Sequence, residues 1–195
     1  IVQDTPVLAG VCATDPFRDM GWFLSQVMDI GFSGIQNFPT VGLVDGSLRA
    51  NLEETEMGYG KEVDLVRLAR SRDIFTTPYC FNPSEAEQMA EAGADIVVAH
   101  MGLTTKGSIG AHTAKTLDDA VREVQAIADA ARGVRDDVII LCHGGPIAMP
   151  DDAEFVLHRT QNVHGFYGAS SMERLPVETA LTSQVRSFKA IRFSE

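Results

Sequence analysis

Six short apolar runs, rich in β-branched residues, punctuate the chain at Val7–Cys12, Gly34–Phe38, Ile74–Pro78, Ile96–His100, Val138–His143 and Val163–Gly168. A run that is apolar at consecutive positions has no wet face, so each predicts a parallel strand covered on both sides. Between the runs the period changes. Following Thr116, Leu117, Ala120, Val121, Val124, Ile127, Ala128 and Ala131 recur every three or four residues. That spacing predicts a helix laying one stripe against a sheet.

The punctuation fits the same plan. Asp15-Pro16 and Asn82-Pro83 each place a capping side chain before a proline suited to the first helical turn, so helices are expected to begin there. Gly31 and Gly93 each stand just before a strand, where a left-handed helix terminus is needed. Strict alternation of strand and helix implies parallel pairing through right-handed crossovers, which leaves an open doubly wound sheet or a closed barrel. No Gly-x-Gly-x-x-Gly follows a strand, which disfavours the dinucleotide-binding open sheet and leaves a flavodoxin-like one as the rival. The reading adopted is α/β, a TIM (β/α)8 barrel forming a single domain over residues 1–195. Six units cannot close eight strands, and Val7–Cys12 and Val163–Gly168 would remain as apolar edges. The first two βα units are therefore expected to be missing. Ile1–Thr5, which lead straight into a strand without an initiator methionine, read the same way.

Composition narrows the partners. With 45% hydrophobic and 22% charged residues, the chain sits among ordinary globular proteins rather than disordered or disulfide-built ones. A formal charge of −11 repels nucleic-acid backbones and anionic lipid headgroups, so neither nucleic acid nor membrane is an expected partner. A small anionic substrate would need local positive potential from a helix start or an arginine. Cys12, Cys80 and Cys142 lie in or beside apolar runs, which fits packed thiols in a reducing cytoplasm better than a disulfide framework. No apolar run approaches the 18 or so residues of a membrane span. A cytoplasmic protein that associates as a homo-oligomer is expected.

In a barrel of this kind ligands bind at the loops after the strands, which directs attention to the residues that follow each apolar run. His143-Gly144-Gly145-Pro146 offers an imidazole and two glycines whose amides can approach a ligand oxygen, or else a tight turn that needs left-handed residues. Ser170, Ser171 and Arg174 follow the last run, where barrels commonly hold phosphate; alternatively Ser171 caps a helix and Arg174 pairs with a neighbouring acid. His100 ends an apolar run and leads into Gly102 and Thr104, so it is either a rim catalyst or a core histidine bonded to backbone. Asn37, Tyr79, Asn82 and Arg49 are candidate substrate contacts. Asp15 and Glu53 are the metal candidates, with helix capping and solvation as their rival roles. Two loops, Pro39–Met57 and Met101–Lys115, are long enough to act as lids or binding loops.

Four segments together are distinctive: Gly34-Ile35-Gln36-Asn37-Phe38-Pro39-Thr40-Val41-Gly42, Ala99-His100-Met101-Gly102-Leu103-Thr104-Thr105, Cys142-His143-Gly144-Gly145-Pro146-Ile147-Ala148 and Gly165-Phe166-Tyr167-Gly168-Ala169-Ser170-Ser171-Met172-Glu173-Arg174-Leu175-Pro176. They resemble the phosphoenolpyruvate hydrolase-like TIM-barrel family over nearly the whole chain. That family is similar to the phosphoenolpyruvate and pyruvate kinase-like barrels and includes the C-terminal domain of a plant tobamovirus-resistance protein. Its members normally carry more barrel upstream. The resemblance implies hydrolytic cleavage of a P–O or C–P bond in a substrate such as phosphoenolpyruvate or phosphonopyruvate. Applied to this sequence, Ser170, Ser171 and Arg174 would hold the anion, His143 and His100 would handle protons, and the Gly144 and Gly145 amides would stabilise developing charge. Phosphonopyruvate-cleaving relatives hold magnesium with clustered acids at strand ends. No Asp-x-Asp cluster stands at a strand end here, so magnesium is carried over without a ligand set. The missing cluster, and the family's presence in a resistance protein, also admit a noncatalytic ligand-sensing or protein-interaction barrel.

Overall fold

The computed structural model describes residues 2–112 and 115–192. Its elements run β1 (Leu8–Gly10), α1 (Met20–Ile30), β2 (Gly34–Gln36), a 3-10 turn (Val41–Leu43), α2 (Gly46–Glu54), α3 (Gly60–Ser71), β3 (Phe75–Thr76) and β4 (Tyr79–Cys80). They continue with α4 (Pro83–Glu91), β5 (Ile96–His100), α5 (Leu117–Val134), β6 (Ile139–His143), α6 (Pro150–Leu157), β7 (Gly165–Phe166), α7 (Ser170–Glu173) and α8 (Leu175–Lys189). Each expected strand is present, although most are shorter than the apolar run that announced them.

All pairings are parallel, in the orders β1-β2-β3 and β4-β5-β6-β7. The run Ile74–Pro78, expected to be one strand, is divided between the two sheets. Its first half pairs with β2, and the Thr77 amide still donates to the Ile35 carbonyl. Pro78 has no N–H to give the ladder, but its carbonyl accepts from Val98, and the chain passes over to β5. Strand neighbours therefore follow chain order throughout, as in successive βα units of a TIM barrel. The fold is α/β of that type. Among the described residues no pairing joins β1 to β7.

The helix boundaries test the capping arguments. Asn82 caps α4, its side chain accepting from the Glu85 amide with Pro83 in the first turn. Gly31 and Gly93 take the left-handed conformation, with φ of 104° and 93°. Thr116 and Asp119 form a reciprocal capping box on α5, which buries Ala120, Val124, Ile127, Ala128 and Ala131 as the stripe predicted. Asp15 does not start a helix. Its carboxylate closes a local turn onto the Phe17 amide and Arg18 Nε, and α1 begins further on, with Asp19 accepting from the Trp22 amide.

Two apolar clusters result. The larger surrounds β4 to β6 and includes Met89, Val97, Val124, Ile127 and Ile140; the smaller lies beneath β1 and β2 and includes Val11, Leu24, Ile35 and Leu65. The loop Pro39–Met57 holds the 3-10 turn and α2. The loop Met101–Lys115 carries no helix or strand among its described residues; its Thr113 and Ala114 lie outside them. No described helix is long and apolar enough to cross a membrane.

Candidate functional site

β5 and β6 pair in a register that sets His100 directly opposite His143 at their last residues. Both strands are apolar up to that point, so the imidazoles are the first polar side chains the two strands present at this end. Their ring centroids lie 4.6 Å apart at 63°. Tyr79, at the start of β4, stacks on His143 at 5.0 Å and 29° and meets His100 edge-on at 4.7 Å. These three buried side chains form part of the wall of a cavity of about 540 Å³.

The backbone assigns the tautomers. His100 Nδ1 accepts from the Gly102 amide at 3.0 Å, so the proton of the neutral ring is on Nε2. His143 Nδ1 lies 2.6 Å from the Tyr167 carbonyl; a carbonyl can only accept, so Nδ1 carries the proton and Nε2 keeps its lone pair. Burial pushes His100 down to about 3, with the charge of His143 adding to the effect. Burial also lowers His143, against the opposing pull of the Tyr167 carbonyl. Near pH 7 the pair therefore combines a neutral donor with a neutral acceptor.

Beneath Tyr79 lies a polar clamp that gives Asn37 a different role from the one expected. Asn37 Oδ1 accepts from the Tyr79 amide at 2.7 Å, and its Nδ2 donates to the Tyr79 carbonyl at 3.2 Å and to Glu62 Oε2 at 2.5 Å. Asn37 is buried and does not line the cavity. Glu62, 1% exposed, also accepts from Thr40 at 2.8 Å and the Val41 amide at 2.7 Å. Burial raises its carboxyl to about 7, against the pull of these three donors. Tyr59 Oη donates to the same Tyr79 carbonyl at 2.5 Å. The clamp thus ties the loop after β2 to the residue on which the histidines pack.

Gly102, Thr104, Ser170 and Arg174 line the cavity, whereas Ser171 does not. Arg174 is already paired, with Nη1 2.7 Å from Glu178 and Nη2 3.0 Å from the Lys106 carbonyl. The Gly144–Gly145 expectation is corrected. Neither residue lines the cavity, and the Gly145 amide donates to the Gly102 carbonyl at 2.7 Å. Their φ values are 75° and 57°, and an added Cβ would stand 2.4 Å from the Gly102 oxygen and 2.3 Å from the Met101 oxygen. The glycines let the loop after β6 press against the loop after β5, which is the tight-turn role.

The metal candidates are engaged elsewhere as well. Asp15 holds its turn; Glu53 binds Arg49 Nε at 2.6 Å and the Tyr59 amide at 3.1 Å. Arg49 braces Glu85 and the Val41 carbonyl, and Asn82 is a cap, so neither contacts the cavity. Among the described residues no group of three His, Cys, Asp or Glu side chains is arranged to hold an ion, and Glu173 is the one carboxylate lining the cavity. That donor set does not fit magnesium, which takes an octahedron of oxygens. Cys80 and Cys142 are buried, and burial raises both thiols, as expected of packed side chains.

Tyr167, Gln36 and Phe38 also line the cavity, as do Leu43, Leu103 and Ile109, and none of them was singled out by sequence reasoning. Nor was Glu62, although it had left a trace: it falls in helical register with Leu65, Val66 and Ala69, a lone acid on the apolar stripe of α3.

The pattern of the phosphoenolpyruvate hydrolase-like family matches residues 1–191. The chain belongs to that family. The ToMV susceptible protein tm-1(GCR26) of Solanum lycopersicum is 62% identical over 98% of the chain, and so is the ToMV resistance protein Tm-1(GCR237) of the same plant. The chain spans about a quarter of the length of these family relatives, 25% in each case. Among solved structures, 7,8-dihydropteroate synthase from Vibrio fischeri ES114 superimposes with a TM-score of 0.51 at 14% identity, over 96% of this chain and 70% of the synthase. At that identity the likeness speaks for the fold alone.

Proposed function

We propose that the chain forms the substrate pocket of an enzyme acting on a small phosphorylated or carboxylated acid, such as phosphoenolpyruvate or phosphonopyruvate, by hydrolysis of its P–O or C–P bond. One observation carries the reading: two buried neutral imidazoles of opposite tautomer, side by side at strand ends, in the wall of one cavity. Membership of the phosphoenolpyruvate hydrolase-like family supports it.

His143 Nε2, with its lone pair free of backbone bonds, takes a proton from water as the water oxygen bonds to phosphorus. The bond from phosphorus to the enol oxygen of phosphoenolpyruvate, or to carbon in phosphonopyruvate, breaks with its electron pair. In both cases the leaving group is the enolate of pyruvate. His100 Nε2–H donates to that oxygen as charge develops, a contribution of about 3 to 4 kcal/mol for one well-placed donor. Ser170 and Arg174 take the anionic end, with the Arg174 charge shared with Glu178.

Phosphate release from both substrates by the full-length protein, with and without magnesium, is the test. Turnover that disappears in His143→Ala while the fold is retained supports the reading. No release of phosphate from either substrate under any condition refutes it. The pairing of Arg174 with Glu178 favours a second reading, a noncatalytic ligand-sensing barrel, for which binding without turnover is the expected result.

A further inference from the structure

The cavity has a polar, buried floor and an apolar, exposed rim. Phe38 and Leu43 reach it from the loop after β2; Leu103 and Ile109 reach it from the loop after β5. They are 46%, 37%, 64% and 76% exposed. Single exposed apolar residues are ordinary on a protein surface, but four large ones from two separate loops around one mouth are not. Tyr79 and Tyr167 carry the apolar surface down to the histidines.

Volume and charge point the same way. About 540 Å³ lies within the roughly 300–1,000 Å³ of pockets that enclose drug-sized ligands, far beyond the needs of a bare three-carbon acid. The cation lining the cavity, Arg174, is paired with Glu178, Glu173 stands beside it, and the histidines are neutral. In a chain of net charge −11 this leaves an anion little unshared positive charge, and apolar contact supplies the rest of the affinity.

We infer that the ligand is an enol phosphate or 2-oxo phosphonate, or the 2-oxo acid that either releases, bearing an apolar substituent, with its acid end at His100, His143 and Arg174 and its substituent gripped by Phe38, Leu43, Leu103 and Ile109. This rests on the proposed reading of the pocket as an acid-binding site and specifies the substrate class.

The test is calorimetric titration of the full-length protein with phosphoenolpyruvate and with straight-chain 2-oxo acids from pyruvate to 2-oxoheptanoate. Affinity is expected to rise by about fourfold for each methylene buried. Leu103→Ser and Ile109→Ser, both exposed and tolerable to the fold, are expected to flatten that dependence, whereas Leu181→Ser on α8, away from the cavity, is expected to leave it intact. Binding of equal strength along the series overturns the inference and leaves the acid-binding pocket standing. No binding by any member overturns the inference together with the reading beneath it.

Discussion

Replacement of Glu62 by glutamine isolates the clamp beneath the site. In the folded protein the carboxyl holds its proton up to about pH 7, against an ordinary value of 4.5, because burial outweighs the three donors. A folded value raised above the unfolded one means that the contribution is fully present below pH 4.5 and is lost as pH rises through 7. The unfolded chain releases the proton first, and folding then has to recover it or bury the charge. At 1.36 kcal/mol per pH unit the difference amounts to about 3 kcal/mol by pH 7 and is constant above it. Glutamine cannot titrate. Urea unfolding of wild type and Glu62→Gln between pH 4.5 and 8 should therefore give free energies that move apart by about 3 kcal/mol, with wild type losing ground as pH rises. Because the other carboxylates are common to both proteins, their titration cancels in the comparison. Parallel curves would refute the reasoning, since they would mean that the donors from Asn37, Thr40 and Val41 fully compensate the burial.

Two further perturbations probe the neighbouring contacts. Asn37→Ala leaves the buried Tyr79 amide without its acceptor and should cost about 2 kcal/mol in urea unfolding, while removing a donor from Glu62 and so steepening the pH dependence described above. Gly145→Ala forces a side chain into a left-handed residue and towards the Met101 carbonyl; a loss of about 2 kcal/mol or more by thermal unfolding is expected.

The fold was legible because its signals are local. Consecutive apolar residues at Ile96–His100 and a stripe of period 3.6 in α5 report burial directly, and Asn82-Pro83 and Gly93 mark boundaries through backbone chemistry that no tertiary contact has to supply. Asp15-Pro16 misled because an Asx turn and a helix cap use the same side-chain acceptor; what separated them was Asp19, a second acceptor nearer the apolar stripe of α1. The split at Pro78 was legible only in part. Proline announces an interrupted ladder, but the change of partner from β2 to β5 is a tertiary fact.

The site was legible in position rather than in role. Strand ends pointed to His100 and His143, yet which nitrogen carries each proton depends on the Gly102 amide and the Tyr167 carbonyl, the latter 24 residues from His143. Asn37 was placed near the site for the right reason and given the wrong partner: its amide satisfies the backbone of Tyr79, far along the chain. Gly144 and Gly145 illustrate the limit of motif reading. Adjacent glycines signal a close approach, and the approach turned out to be to another loop.

Nitrogen-15 NMR of the imidazoles, assigned with His100→Asn and His143→Asn, bears most directly on the central claim of a neutral donor beside a neutral acceptor. At pH 7.5 the account predicts two neutral rings of opposite tautomer, with the proton on Nε2 of His100 and on Nδ1 of His143, and it predicts that His100 remains neutral at pH 5. Identical tautomers, or a His100 imidazolium at pH 5, would contradict it.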